Sequence, residues 1–185
     1  FELFGRAANF AALVPFVNGK VEGLVEDEQR RVRRSAVGDL RLRFGTNFIG
    51  GEALSREEFH SRKQNTVLGS SFVIVWPTGE YNSKRLINVG SNRWAFKPEI
   101  GGSHIIGDWF VDASTGVWFF SDNSDFYGDV VRQQDPIATV QAHAGYTFRP
   151  GLWLAGDATY YTGGKSTVGG VEKDDLQENS RYGLT

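Results

Sequence analysis

Residues 137–164, IATVQAHAGYTFRPGLWLAGDATYYTGG, alternate small or apolar side chains with polar ones on either side of Arg149-Pro150-Gly151. Successive side chains of a strand point to opposite faces, so a period of two demands extended chain and excludes an amphipathic helix. In the first segment Ala138, Val140, Ala142, Ala144, Tyr146 and Phe148 oppose Thr139, Gln141, His143 and Thr147; in the second Leu152, Leu154, Ala158 and Tyr160 oppose Asp157 and Thr159. The same parity recurs upstream. Leu40, Leu42, Phe44, Thr46 and Phe48 oppose Asp39, Arg41, Arg43 and Asn47. Trp94, Phe96, Pro98 and Ile100 oppose Arg93, Lys97 and Glu99, while Trp109, Val111, Ala113, Val117 and Phe119 oppose Asp112 and Ser114.

With residues 9–17, 67–76 and 181–185 added, the pattern predicts about eight antiparallel strands of roughly ten residues each. Connectors alternate in length. Gly107-Asp108 and Arg149-Pro150-Gly151 are short, whereas residues 18–35, 78–91, 121–136 and 163–179 form long polar connections. Residues 50–66 break the rule, being long on the short-turn side; within them LSREEFHSRK predicts a helical turn with Ser55 as N-cap and Glu58 three residues on.

Alternation alone leaves two architectures. In a soluble sandwich the apolar faces meet in a core. In a transmembrane barrel the apolar band meets lipid and the polar face lines the lumen. Three features favour the barrel. Strands of about ten residues match a tilted membrane crossing and exceed the usual ~5–6 residues of soluble strands. Aromatics fall near strand ends (Trp76, Trp94, Trp109, Phe119, Tyr146, Phe148, Tyr160), as in interfacial girdles. The polar face also mixes acids and bases, where a soluble barrel packs apolar groups.

Composition agrees. The chain of 185 residues suits one all-β domain, and 23 glycines with 14% aromatics favour strands and turns over a helical bundle. A net charge of −2 gives no general pull toward nucleic acid. No cysteine is present, which removes disulfides and thiolate metal sites.

The stretches GDLRLR, GSNRWAFKPEIG and YTFRPGLWLAGDATYY resemble the bacterial family of transporters associated with the meta-cleavage pathway of phenol degradation. The resemblance extends from ANFAALVPFVNG to ENSRYGLT. It implies an up-and-down β-barrel of the Gram-negative outer membrane, passing small, aromatic or hydrophobic solutes, in contact with outer-membrane lipid and lipopolysaccharide. It brings no catalytic motif, no cofactor and no metal. In such a barrel Tyr182 and Leu184 would open a further strand, and the expectation is a single barrel domain over residues 1–185 that stops before its closing strands.

The inward set is then Asp39, Arg41, Arg43, Arg93, Lys97, Glu99, Asp112, Gln141, His143, Asp157 and Arg181. Rings of charge set pore selectivity. The alternative is a self-neutralising lattice that fills a narrow barrel, since about eight strands leave an interior that side chains can occupy. Ser114, His143 and Asp112 or Asp157 could compose a hydrolytic triad, but no nucleophile-elbow sequence surrounds Ser114, so no enzyme is expected. DNSDFYGD offers Asp122, Asp125 and Asp129 at spacings that do not fit a calcium loop. EDEQRRVRR, residues 26–34, could touch lipopolysaccharide phosphates; simple solvation of an exposed loop is the favoured reading.

Overall fold

The structure is a computed structural model that describes residues 1–25, 28–55, 66–175 and 177–184. Every regular element among them is a strand. In chain order these are β1 (Glu2–Leu3), β2 (Arg6–Leu13), β3 (Phe16–Val25), β4 (Glu28–Val37), β5 (Leu40–Ile49), β6 (Thr66–Trp76), β7 (Ala95–Ile106) and β8 (Trp109–Phe120). They continue with β9 (Asn123–Phe126), β10 (Val130–Gln134), β11 (Ile137–Arg149), β12 (Leu152–Gly163), β13 (Ser166–Val168), β14 (Val171–Glu172) and β15 (Glu178–Leu184).

Nine of them form one antiparallel sheet in the order β1-β2-β5-β6-β7-β8-β11-β12-β15. Each neighbour is the next strand in sequence once the β3-β4 hairpin and the short strands β9, β10, β13 and β14 are set aside, which is an up-and-down meander. Among the described residues no pairing joins β15 to β1 or β2, so the sheet stays open. The turn end carries Gly107-Asp108 and Arg149-Pro150-Gly151. The loop end carries the long connections, and three of these contain strands. Residues 16–25 and 28–37 pair as the β3-β4 hairpin, and the connections after β8 and β12 share a small sheet, β14-β13-β10-β9. The polar loop at residues 26–34 is therefore, where described, part of a hairpin strand. The helical turn expected within residues 55–64 lies outside the described residues apart from Ser55.

The apolar face is the exposed one. Phe10, Ile100, Val140, Phe148 and Leu154 are each more than half exposed, while the fully buried apolar residues among those described are Ala8, Ala36, Val75, Ala95 and Ala155. A sandwich buries its Leu, Ile and Phe side chains between sheets. This sheet has no such layer, so its large apolar groups meet hydrocarbon. Aromatic side chains bracket that surface. At the loop end Trp94 stacks on Trp76 at 5.4 Å and on Phe96 at 6.1 Å. At the turn end Tyr146 packs edge-on against Trp109 at 5.1 Å and Phe148 at 5.0 Å. Trp109 and Phe119 stand at opposite ends of β8, ten residues apart. At ~3.3 Å per residue and ~40° of tilt, that spacing rises ~25 Å along the membrane normal, the height of an outer-membrane apolar band.

Candidate functional site

The other face of the sheet is concave and polar. Strand register lays its residues in rows across neighbouring strands. Arg41 pairs with Val75 and that with Ala95; Arg43 pairs with Val73 and that with Lys97. These rows lie in the loop half. Toward the turns, Ser103, Asp112, His143 and Asp157 form one continuous row across β7, β8, β11 and β12. Between the two zones the wall is low, because Gly45, Gly69 and Gly101 present no side chain. They border a cavity of about 400 Å³ together with Arg43, Asp112, Gln141, His143 and Asp157. Cations thus outnumber acids at the loop half, where Glu99 is paired with Lys97 and Asp39 accepts from Gly79 and Ser91, and Asp112 and Asp157 leave acidic charge in excess at the turn half.

Partners divide the charged residues further. Lys97 Nζ lies 2.5 Å from Glu99 Oε2 with both side chains only 12–13% exposed, and Ser71 Oγ donates to Glu99 at 3.1 Å. His143 Nδ1 meets Asp157 Oδ1 across the β11-β12 pair. Gln141 donates weakly to Thr159 at 3.4 Å, and Asp112 has its register neighbours Ser103 and His143 but makes no hydrogen bond among the described residues. The arginines differ from these. Arg43 Nη1 donates to Asn9 Oδ1 at 3.2 Å, Arg93 Nη2 donates to Gln134 Oε1, and Arg181 lies over the Tyr161 ring at 5.3 Å. Among the described residues Arg41 has neither an acid nor a hydrogen-bond acceptor as partner. No carboxylate among the described residues comes within ion-pair reach of any of the four.

Arg93 stands in the connection just before β7, outside the membrane-crossing strands. Its guanidinium lies 4.5 Å over the Phe120 ring, and its Nη1 is buried without a hydrogen-bond partner. Desolvation, reinforced by the nearby positive charge of Arg132, pulls it down to about 10. It remains charged at neutral pH.

Asp39 plays a different part. It precedes β5, and its oxygens accept from Gly79 N at 2.9 Å, Ser91 N at 2.8 Å and Ser91 Oγ at 2.6 Å. Its charge is used to clamp residues 79–91 over the loop end. Asn123, 2% exposed, continues that clamp by accepting from Asn92 and donating to Tyr81 Oη at 3.0 Å each.

The hydrolytic constellation is not assembled: Ser114 Oγ points to Gln141 Oε1 at 3.5 Å while His143 engages Asp157. In the DNSDFYGD stretch, Asp122 accepts from Gln133 at 2.9 Å, and no cluster of three potential metal ligands occurs among the described residues. Trp118, Phe120 and Tyr161, absent from the inward set expected from sequence, point inward under Lys97, Arg93 and Arg181. Their parity was available, since Trp118 and Phe120 alternate with Val117 and Phe119, and Tyr161 with Tyr160.

An antiparallel meander with a lipid-facing apolar band, two aromatic girdles and a charged concave face is the wall of an outer-membrane β-barrel. Residues 2–184 match the family described as "Putative MetA-pathway of phenol degradation", and the chain belongs to that family. Its fold is similar to the crystal structure of an outer membrane channel from Pseudomonas putida F1, with 27% sequence identity and a TM-score of 0.76. The similarity covers 98% of this chain and 64% of that one, so the chain spans just under two thirds of the channel's length. No curated protein matches the sequence. The outer membrane is its location.

Proposed function

We propose that the protein is an outer-membrane channel for small solutes, aromatic ones among them, with a preference for anions. One observation carries the preference: Arg41, Arg43, Arg93 and Arg181 occupy the concave face with no carboxylate partner among the described residues. A self-neutralising plug would pair these cations as it pairs Lys97 with Glu99. Unpaired guanidiniums in a confined, low-dielectric passage concentrate anions and exclude cations. The similarity to a solved outer membrane channel supports conduction, and the inward Trp118, Phe120 and Tyr161 support aromatic solutes. In the membrane the free edges of the sheet take partner strands, because each unpaired backbone group in hydrocarbon costs several kcal/mol. Outer-membrane lipid covers the apolar band.

The test is the reversal potential of the full-length protein in planar bilayers under a potassium chloride gradient. Wild type should favour chloride. Changing Arg41, Arg43 and Arg93 together to Gln should shift the preference toward potassium. Absence of conductance from verified, folded protein would instead make the barrel a structural or binding element.

A further inference from the structure

Four cations on this chain rest on aromatic rings. Arg132 lies 5.3 Å over Phe126, Arg93 4.5 Å over Phe120, Lys97 5.3 Å over Trp118 and Arg181 5.3 Å over Tyr161. Lys97 is already neutralised by Glu99. The arginines are not. A guanidinium lying over a ring uses its face, and its N–H fork, which lies in the plane, stays free for a carboxylate. Arg93 has committed Nη2 to Gln134, and its Nη1, like Arg132 Nε, is buried with no acceptor. A buried donor left without a partner is satisfied by an oxyanion that reaches it from an adjoining cavity.

Arg93, Arg181, Trp118, Phe120 and Tyr161 all border a single cavity of about 550 Å³ at the loop end of the concave face. Two acids border it as well. Both oxygens of Asp39 are occupied by Gly79 and Ser91, and Glu178 sits exposed at the start of β15, where it makes no ion pair among the described residues. The cavity therefore combines cationic hydrogen-bond donors with flat apolar walls. Its volume falls in the range of small-ligand sites, roughly 300–1,000 Å³.

We propose that this cavity binds a small carboxylate carrying a flat ring, with the carboxylate on Arg93 and the ring among Trp118, Phe120 and Tyr161. The site rests on the channel reading and narrows its solute class to aryl carboxylates, held at the loop-end mouth before passage. Arg181, which borders the same cavity, gives the solute its next cation.

Saturation-transfer NMR on the detergent-folded, full-length protein tests it, with benzoate as the probe and benzyl alcohol as its neutral counterpart. Benzoate should bind, benzyl alcohol should not compete, and Arg93→Gln should weaken benzoate by about tenfold or more, the scale of one lost charge-assisted hydrogen bond. Should Arg93→Gln fail to fold, Arg181→Gln and Phe120→Leu provide the same test and should each weaken binding. Benzoate affinity equal in wild type and in every folded variant, or benzyl alcohol binding as tightly as benzoate, would overturn the site. Conductance in bilayers separates the two claims. A conducting protein that ignores benzoate loses the site and keeps the channel; a protein that binds benzoate without conducting keeps the site and loses the channel.

Discussion

Asp39 shows what one side chain's parity reveals and what it hides. It shares a face with Arg41 and Arg43 and borders the loop-end cavity, as alternation implies. Its partners are another matter: Gly79 and Ser91 lie 40 and 52 residues away, and no local pattern announces them. Three donors converge on one carboxylate, so it works as an anchor for the connection that follows β6. Replacing Asp39 with Ala strands those donors, at about 1–3 kcal/mol for each buried group left unsatisfied. In the intact protein the Asp39→Ala variant should be cut faster by trypsin at the exposed Lys84 and Arg85, within the released connection. Unchanged cleavage would return Asp39 to the role of a free lumen charge. Arg41, Arg43, Arg93 and Arg181 were equally visible as inward residues, but that they lack acids among the described residues could be seen only once strand register had placed the neighbouring carboxylates.

The β11-β12 hairpin was legible almost to the residue. Its ladder runs from Ile137 opposite Gly163 to Arg149 opposite Leu152, closed by the short turn that the sequence offered. Legibility came from contrast, since one face is apolar for lipid and the other polar for water. The β3-β4 hairpin lacks that contrast. Lys20, Glu22 and Arg31 are bound to one another by ion pairs at 2.6 and 2.5 Å, and no continuous apolar face exists to set a period. It therefore read as a polar loop. The small sheet of β9, β10, β13 and β14 escaped for the same reason, with strands of two to five residues. Faces of the long strands differ in what they tolerate. Arg in place of Leu42, Val140 or Leu154 should cost ~2–4 kcal/mol where the position lies near the bilayer midplane, and Arg in place of Gln141 or Asp157 should cost less. Unfolding titrations in lipid vesicles measure both; equal costs on the two faces would mean that the apolar face does not meet lipid.

At the scale of the whole molecule, charge is segregated along the axis of the wall. Arg41, Arg43, Arg93 and Lys97 gather toward the long loops, Asp112, His143 and Asp157 toward the short turns, and a low band of glycine separates them. Long loops of outer-membrane barrels face the outside and short turns the periplasm. In the proposed channel an anion arriving from outside would meet the arginines first. Sequence alone distributed these residues to one face; their rows and partners depend on strand register, which alternation does not fix. All of this stands on one claim, that the polar face of the sheet borders water and the apolar face borders lipid. Single cysteines placed from Ala138 to Tyr146 in the otherwise cysteine-free chain test it directly. Labelling of the membrane-embedded, folded protein with a charged, water-soluble thiol reagent should then follow a period of two. The Gln141 and His143 positions should react and the Val140, Ala142 and Ala144 positions should be protected; Thr139 and Gly145 share the polar side but are buried, the first 2% exposed and the second under the Phe110 ring. Uniform labelling, or protection of the Gln141 and His143 positions instead, would contradict the account.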